Sequence, residues 1–213
     1  MTVFINILLA FELLSFLISL IYFRNLKREG LVYVFVLLFV VAFSEGIGKL
    51  IDIHAIQFIK SNLWFNIMIP VQFLCLFILF YKKTTYNYWR TVILFFSGLT
   101  IILTLVFILS GEKKSFNTLN YTVESVFVSA CCLHYLFECM SNKYIININK
   151  DVMMYLALGT ILFYLGTLPL HSMRNYLYKN HKSIFEAYNY LFFILNYIMY
   201  GLISFGILWA QKK

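Results

Sequence analysis

The residues of this sequence that could do chemistry stand where they are costly to keep, inside long apolar runs. Glu12 interrupts FELLSFLISLIYF, and Glu124 opens VESVFVSACCLHYLF. Glu45, Lys49 and Asp52 follow one another at i, i+4 and i+7, which puts all three on one helical face. Glu45 precedes Lys49 in the order that favours an intrahelical ion pair. Glu124 shares a face with Cys131, Tyr135 and Glu138, and His134 adjoins them. At 1.5 Å per residue, Glu124 and Glu138 lie about 21 Å apart along a helix, near its opposite ends. Asn66 and Gln72 flank Pro70, and Tyr164, Thr167, Pro169 and His171 close a later run. Asn189, Asn196 and Tyr200 recur on nearly one face of the last.

A carboxyl group deep in an apolar run needs a cation, a donor or a proton, and such groups mark ligand, ion or proton sites. The candidate ligand-binding residues are therefore Glu12, Glu45, Lys49, Asn66, Gln72, Glu124, Tyr164, Asn189 and Asn196. Plainer roles compete at several positions. Asp52, His54 and Glu186 fall near the ends of apolar runs and read as interfacial. Asn189 and Asn196 serve equally well as interhelical hydrogen-bond glue, worth about 1 kcal/mol each. His134 reads as a satisfied bundle residue.

Other chemistries lack their residues. No HExxH, GxSxG, GxGD or P-loop pattern occurs, and no histidine pair has the spacing of a membrane di-iron site. No lysine lies within 187–210 to carry a retinal Schiff base. Cys75, Cys131, Cys132 and Cys139 sit in apolar runs without CxxC spacing and read as small hydrophobes. The expectation is no catalytic residue, no metal and no cofactor. Acid–base hydrolysis by the carboxylates stays chemically open, but no residue pattern argues for it.

The elements that must position these residues follow from composition. Of 213 residues, 62% are hydrophobic and 12% charged, against about half and a quarter in soluble domains. A water-soluble fold has no way to cover that much apolar surface. A spanning helix needs about 20 mainly apolar residues, and the chain supplies such runs at 3–23, 31–53, 63–81, 91–109, 121–140, 152–170 and 187–210. The expected fold is all-α, a polytopic membrane bundle of about seven helices forming one domain over 1–213. The first run has no basic stretch before it and no small-residue cleavage site, so it reads as a retained span. The fourth carries no ionisable residue in its apolar stretch and is expected at the periphery, facing lipid.

The net charge of +8 sits in pairs and triplets between the runs, as in Arg24, Lys27 and Arg28, or Lys82, Lys83 and Arg90. That pattern flanks membrane spans and points to anionic lipid headgroups, not nucleic acid. An outside N-terminus places those six with Lys143, Lys150, Lys212 and Lys213 in the cytoplasm, and Lys49, Lys60, Lys113, Lys114, Arg174, Lys179 and Lys182 outside. The Lys/Arg balance thus favours an N-terminus outside and a C-terminus in the cytoplasm. In that orientation most of the buried polar groups fall in the outer half, with Glu12, Gln72 and Asn196 near the middle, and together they suggest a cavity open to the outside. The 171–185 stretch, aromatic and basic, is expected along the interface. The first three and last three runs show faint self-similarity, with Glu12 matching Glu124 and Asn66 matching Asn189, in a 3+1+3 plan.

WFNIMIPVQFLCLFILFYKK, ILFYLGTLPL and FILNYIMYGLISFGILW resemble stretches of small seven-helix membrane proteins of Bacteroidetes-type bacteria. The resemblance covers most of the chain through diffuse motifs, and similar bundles form the membrane portion of sensor systems. It implies a signalling role and transfers no site residues. The expected function is a membrane sensor that binds a small molecule or lipid and acts through a membrane or cytoplasmic partner protein. A proton-coupled transporter with Glu12 and Glu124 related by the repeat, and an accessory subunit of a membrane complex, are the other two readings.

Overall fold

A computed structural model describes residues 2–53, 60–110, 116–141 and 151–210. His54, Lys113, Lys114, Lys143, Lys150, Lys212 and Lys213, which entered the readings above, lie outside the described residues. Every regular element among the described residues is a helix: α1 (Thr2–Ile21), α2 (Phe23–Arg28), α3 (Val32–Asp52), α4 (Ser61–Lys83), α5 (Asn87–Leu109), α6 (Thr118–Ser141), α7 (Val152–Ser172), α8 (Arg174–Asn180) and α9 (Lys182–Ala210). All but α2 and α8 are long and apolar enough to cross a bilayer. Large apolar side chains such as Leu17, Phe95, Val106 and Leu162 point outward, as lipid requires and water forbids. The chain is an integral membrane protein with a seven-helix bundle.

The spanning helices form a ring in chain order. α1 packs on α3, α3 on α4, α4 on α6, α6 on α7, α7 on α9, and α9 closes back on α1. α5 stands outside this ring against α4 and α6, with most of its surface exposed. It is not wholly given to lipid, because Thr100 is buried against its neighbours.

Local chemistry sets the joints. Just past the end of α2, Gly30 adopts a left-handed φ of 70°, which a glycine reaches without a Cβ clash. Gly30 N–H then donates to the Lys27 carbonyl at 3.1 Å and Leu31 N–H to that of Leu26 at 2.8 Å. These two bonds make a Schellman cap, and the accompanying apolar contact is Leu26 with Leu31, both buried. Asp151 caps α7 by accepting the Met153 N–H at 2.9 Å, and also receives the Tyr135 hydroxyl of α6.

Small residues let the helices approach. A Cβ on Gly159 would meet the Met199 backbone at 3.2 Å, and one on Gly206 would meet Tyr155 at 2.7 Å. The α7–α9 pair is therefore held by close backbone packing, the main source of helix association in lipid. Ser15 Oγ and Ser204 Oγ, 2.8 Å apart, join α1 to α9. Trp64 Nε1 donates to the Ser44 carbonyl at 2.9 Å and joins α4 to α3.

The sequence placed the 171–185 stretch outside the spans, whereas α7 runs to Ser172 and α9 begins at Lys182, with α8 between them. Polar positions continue helices there because the backbone still satisfies its own hydrogen bonds.

Candidate functional site

The ring encloses a cavity of about 290 Å³. Its lining begins at one end of the bundle with Asp52, Asn62, Phe116, His171 and Arg174, and descends to Glu12, Gln72, Thr160, Tyr200 and Ile203. On α3 the lining runs from Asp52 to Leu37, about 22 Å at 1.5 Å per residue. Below that level the packing is apolar. Leu26, Val34, Leu79, Met153, Leu156 and Ile207 are completely buried and form an apolar plug. The cavity thus has one polar mouth and one closed floor.

Of the residues expected from sequence, Glu12, Glu45, Gln72, Tyr164 and Asn196 line this space. Glu12 and Glu45 face it from α1 and α3, close enough to interact electrostatically, and the Tyr200 phenol of α9 lies beside Glu12. Glu12 is 3% exposed, and its Oε2 has no hydrogen-bond partner among the described residues. Asn196 donates its Nδ2 to the Phe192 carbonyl at 3.1 Å, one helical turn back, which leaves its amide oxygen to the cavity.

The other four lie elsewhere. Lys49 does not pair with Glu45; its Nζ donates to Asn6 Oδ1 at 2.7 Å on the exposed rim. The i, i+4 spacing permits an ion pair, but a long ammonium side chain moves outward to water when a neighbouring helix offers an acceptor there. Asn66 is buried behind the cavity wall, where its Oδ1 accepts the Asn117 N–H at 3.0 Å. Asn189 stands on α9 with its Nδ2 buried and unpartnered, away from the cavity lining. Glu124 faces a second, much smaller pocket between α4 and α6, with Thr100 of α5 beside its carboxyl. Glu12 and Glu124, matched in the proposed repeat, therefore open onto different spaces.

Sequence reasoning gave no site role to two residues at the mouth. Arg174, counted there only among flanking charges, lines the cavity, and its guanidinium sits 4.5 Å from the Phe116 ring centroid. Burial lowers its pKa, yet a guanidinium stays protonated, so a cation stands at the entrance. No carboxylate among the described residues lies within 4 Å of it. Tyr121 packs between His171 and Tyr164, with ring centroids 4.0 and 6.2 Å away. Both carried a signal, since Tyr121 precedes Glu124 by three residues and Arg174 follows His171 by three.

His134 and Glu138 belong to the opposite end. Glu138 Oε1 receives Thr84 Oγ1 at 2.7 Å and stands 3.7 Å from His134 Nδ1, fastening α6 to the α4–α5 turn. That cluster is structural.

Chemically, the cavity offers two carboxyls at depth, one guanidinium at the mouth, neutral polar groups between them, and walls of Leu, Ile, Val and Phe. Such a lining suits a small amphiphile, and its volume lies at the lower edge of the roughly 300–1,000 Å³ typical of ligand pockets. The chain matches no protein-family model, no curated protein and no solved structure.

Proposed function

We propose that this protein is a membrane sensor whose central cavity receives a small amphiphile or single-chain lipid. The ligand enters from the mouth past Arg174 and sets a cationic or hydrogen-donating head against Glu12 and Glu45. Its apolar body rests on the walls supplied by α3, α4 and α9. The observation that carries this reading is the cavity's asymmetry: ionisable groups at the mouth and middle, a completely buried apolar plug beneath. A receptor needs only one entrance, whereas a carrier or channel needs a path through the plug.

In this reading the protein lies in a bacterial inner membrane with its N-terminus outside, as the Lys/Arg distribution favours. The mouth then faces outward. Occupancy moves the helices around Pro70 and Pro169, and a separate partner protein reads the change at the cytoplasmic end. The resemblance to small Bacteroidetes-type seven-helix proteins supports the same role.

A carrier of two three-helix units is the second reading, because the ring runs in chain order with α5 set outside it. Against it, Glu12 and Glu124 do not share a path. Proteoliposomes separate the two. A sensor binds its ligand and moves no solute under a proton gradient. Solute flux that disappears in Glu12→Gln overturns the sensor reading in favour of the carrier.

A further inference from the structure

Glu124 is 1% exposed, and among the described residues neither of its buried carboxyl oxygens has a partner at full hydrogen-bond geometry. The Thr100 hydroxyl and the Asn120 amide stand beside it as loose donors that do not reach that geometry. Asn120 gives its Nδ2 to Thr104 Oγ1 at 2.9 Å, and its backbone N–H receives support from Asn117 Oδ1 at 3.1 Å. The amide is thereby anchored with one of its two N–H groups committed to Thr104, and its Oδ1 is buried with no donor to meet among the described residues. Pro70, which has no N–H to give the α4 ladder, forms part of the same wall. The space these groups share with Tyr121 measures about 10 Å³, the room of one water-sized sphere.

We infer that this pocket is a binding site for one dehydrated, sodium-sized monovalent cation. The unsatisfied groups around it are oxygen acceptors, which select a hard cation. Glu124 is the single carboxylate in the lining, so a charge of +1 is neutralised. A divalent ion would leave an uncompensated charge among apolar helices, and calcium sites use six to eight oxygens with several carboxylates. No group of three His, Cys, Asp or Glu side chains suited to a transition metal exists among the described residues. Bound there, the cation ties α6 to α4 beside the proline break of α4, with Thr100 of α5 next to the carboxylate. This site is separate from the central cavity, and the inference does not depend on what occupies that cavity.

The test is thermal unfolding of the purified protein in detergent, in sodium chloride against choline chloride at equal ionic strength and mildly alkaline pH. Sodium should raise the midpoint saturably by roughly 5 °C, with potassium weaker and calcium no better than choline. Glu124→Gln should abolish the difference. Thr100→Val, which keeps side-chain shape and removes one oxygen, should raise the half-saturating sodium concentration severalfold. Equal midpoints in sodium and choline for the wild-type protein overturn the inference. So does a sodium shift that survives in Glu124→Gln, or one that calcium produces equally well.

Discussion

The imidazole of His171 packs on the ring of Tyr121 with centroids 4.0 Å apart, and neither of its nitrogens has a hydrogen-bond partner among the described residues. Phe116 and Phe192 complete the aromatic enclosure, at 6.1 and 5.5 Å. An imidazole held this way by apolar faces gives up solvation without recovering it. His171 is therefore a cost to the empty protein and a hydrogen-bonding group waiting at the mouth of the cavity.

Replacing His171 by Phe should separate those two effects. The ring contacts remain and the orphaned nitrogens go, so the thermal midpoint should hold or rise by about 2 °C. Ligand affinity should fall about tenfold for the loss of one buried hydrogen bond. A large fall in midpoint would mean that His171 has a stabilising partner in the membrane.

Glu12→Gln keeps shape and polarity while removing the negative charge. It should leave the fold intact, and thermal unfolding should show a midpoint at or above that of the wild type, because a deep unpaired carboxyl is itself destabilising. Binding of a cationic amphiphile should weaken at least tenfold, measured by tryptophan fluorescence titration. Unchanged binding would remove Glu12 from the site.

The α7–α9 contact should be intolerant of bulk. A Cβ on Gly159 already meets the Met199 backbone at 3.2 Å, and a backbone cannot rotate away as a side chain can. Gly159→Leu should destabilise the bundle by about 1–3 kcal/mol, seen as a lowered midpoint and reduced yield in membranes. Gly201→Leu, with open space around it, serves as the control and should be nearly silent.

Membrane orientation follows from the Lys/Arg balance and is tested with reporters active only in the cytoplasm. Fusion at Lys213 should be active and fusion at Lys113 silent. The reverse pattern would turn the cavity mouth toward the cytoplasm and require an intracellular ligand.

Much of this arrangement was legible in the residues, for definite reasons. Seven apolar runs specify seven spans because lipid permits no other satisfied backbone. Glu12 and Glu45 stood out because carboxyls are rare at that depth. The peripheral position of α5 followed from the lack of ionisable side chains in its apolar stretch, 91–109. Contacts between helices were not legible. Spacing within α3 pairs Glu45 with Lys49, and nothing in that spacing reports that Asn6 of α1 lies 2.7 Å from the ammonium. Glu124 was visible as a deep carboxyl, but only the packing of α5 on α6 shows which space it faces. Arg174 was hidden by its location, since a charge just past a span ordinarily turns to the headgroups. Here the Phe116 ring draws it inward.

The most direct test of the central claim is native mass spectrometry of protein purified in mild detergent, comparing the wild type with Val41→Phe. Val41 lines the cavity wall, and the larger ring fills space that a ligand needs. One small amphiphile should be retained at unit stoichiometry by the wild type and be absent from a folded Val41→Phe protein. A bare wild-type mass across several detergents, or the same adduct on both proteins, would contradict it.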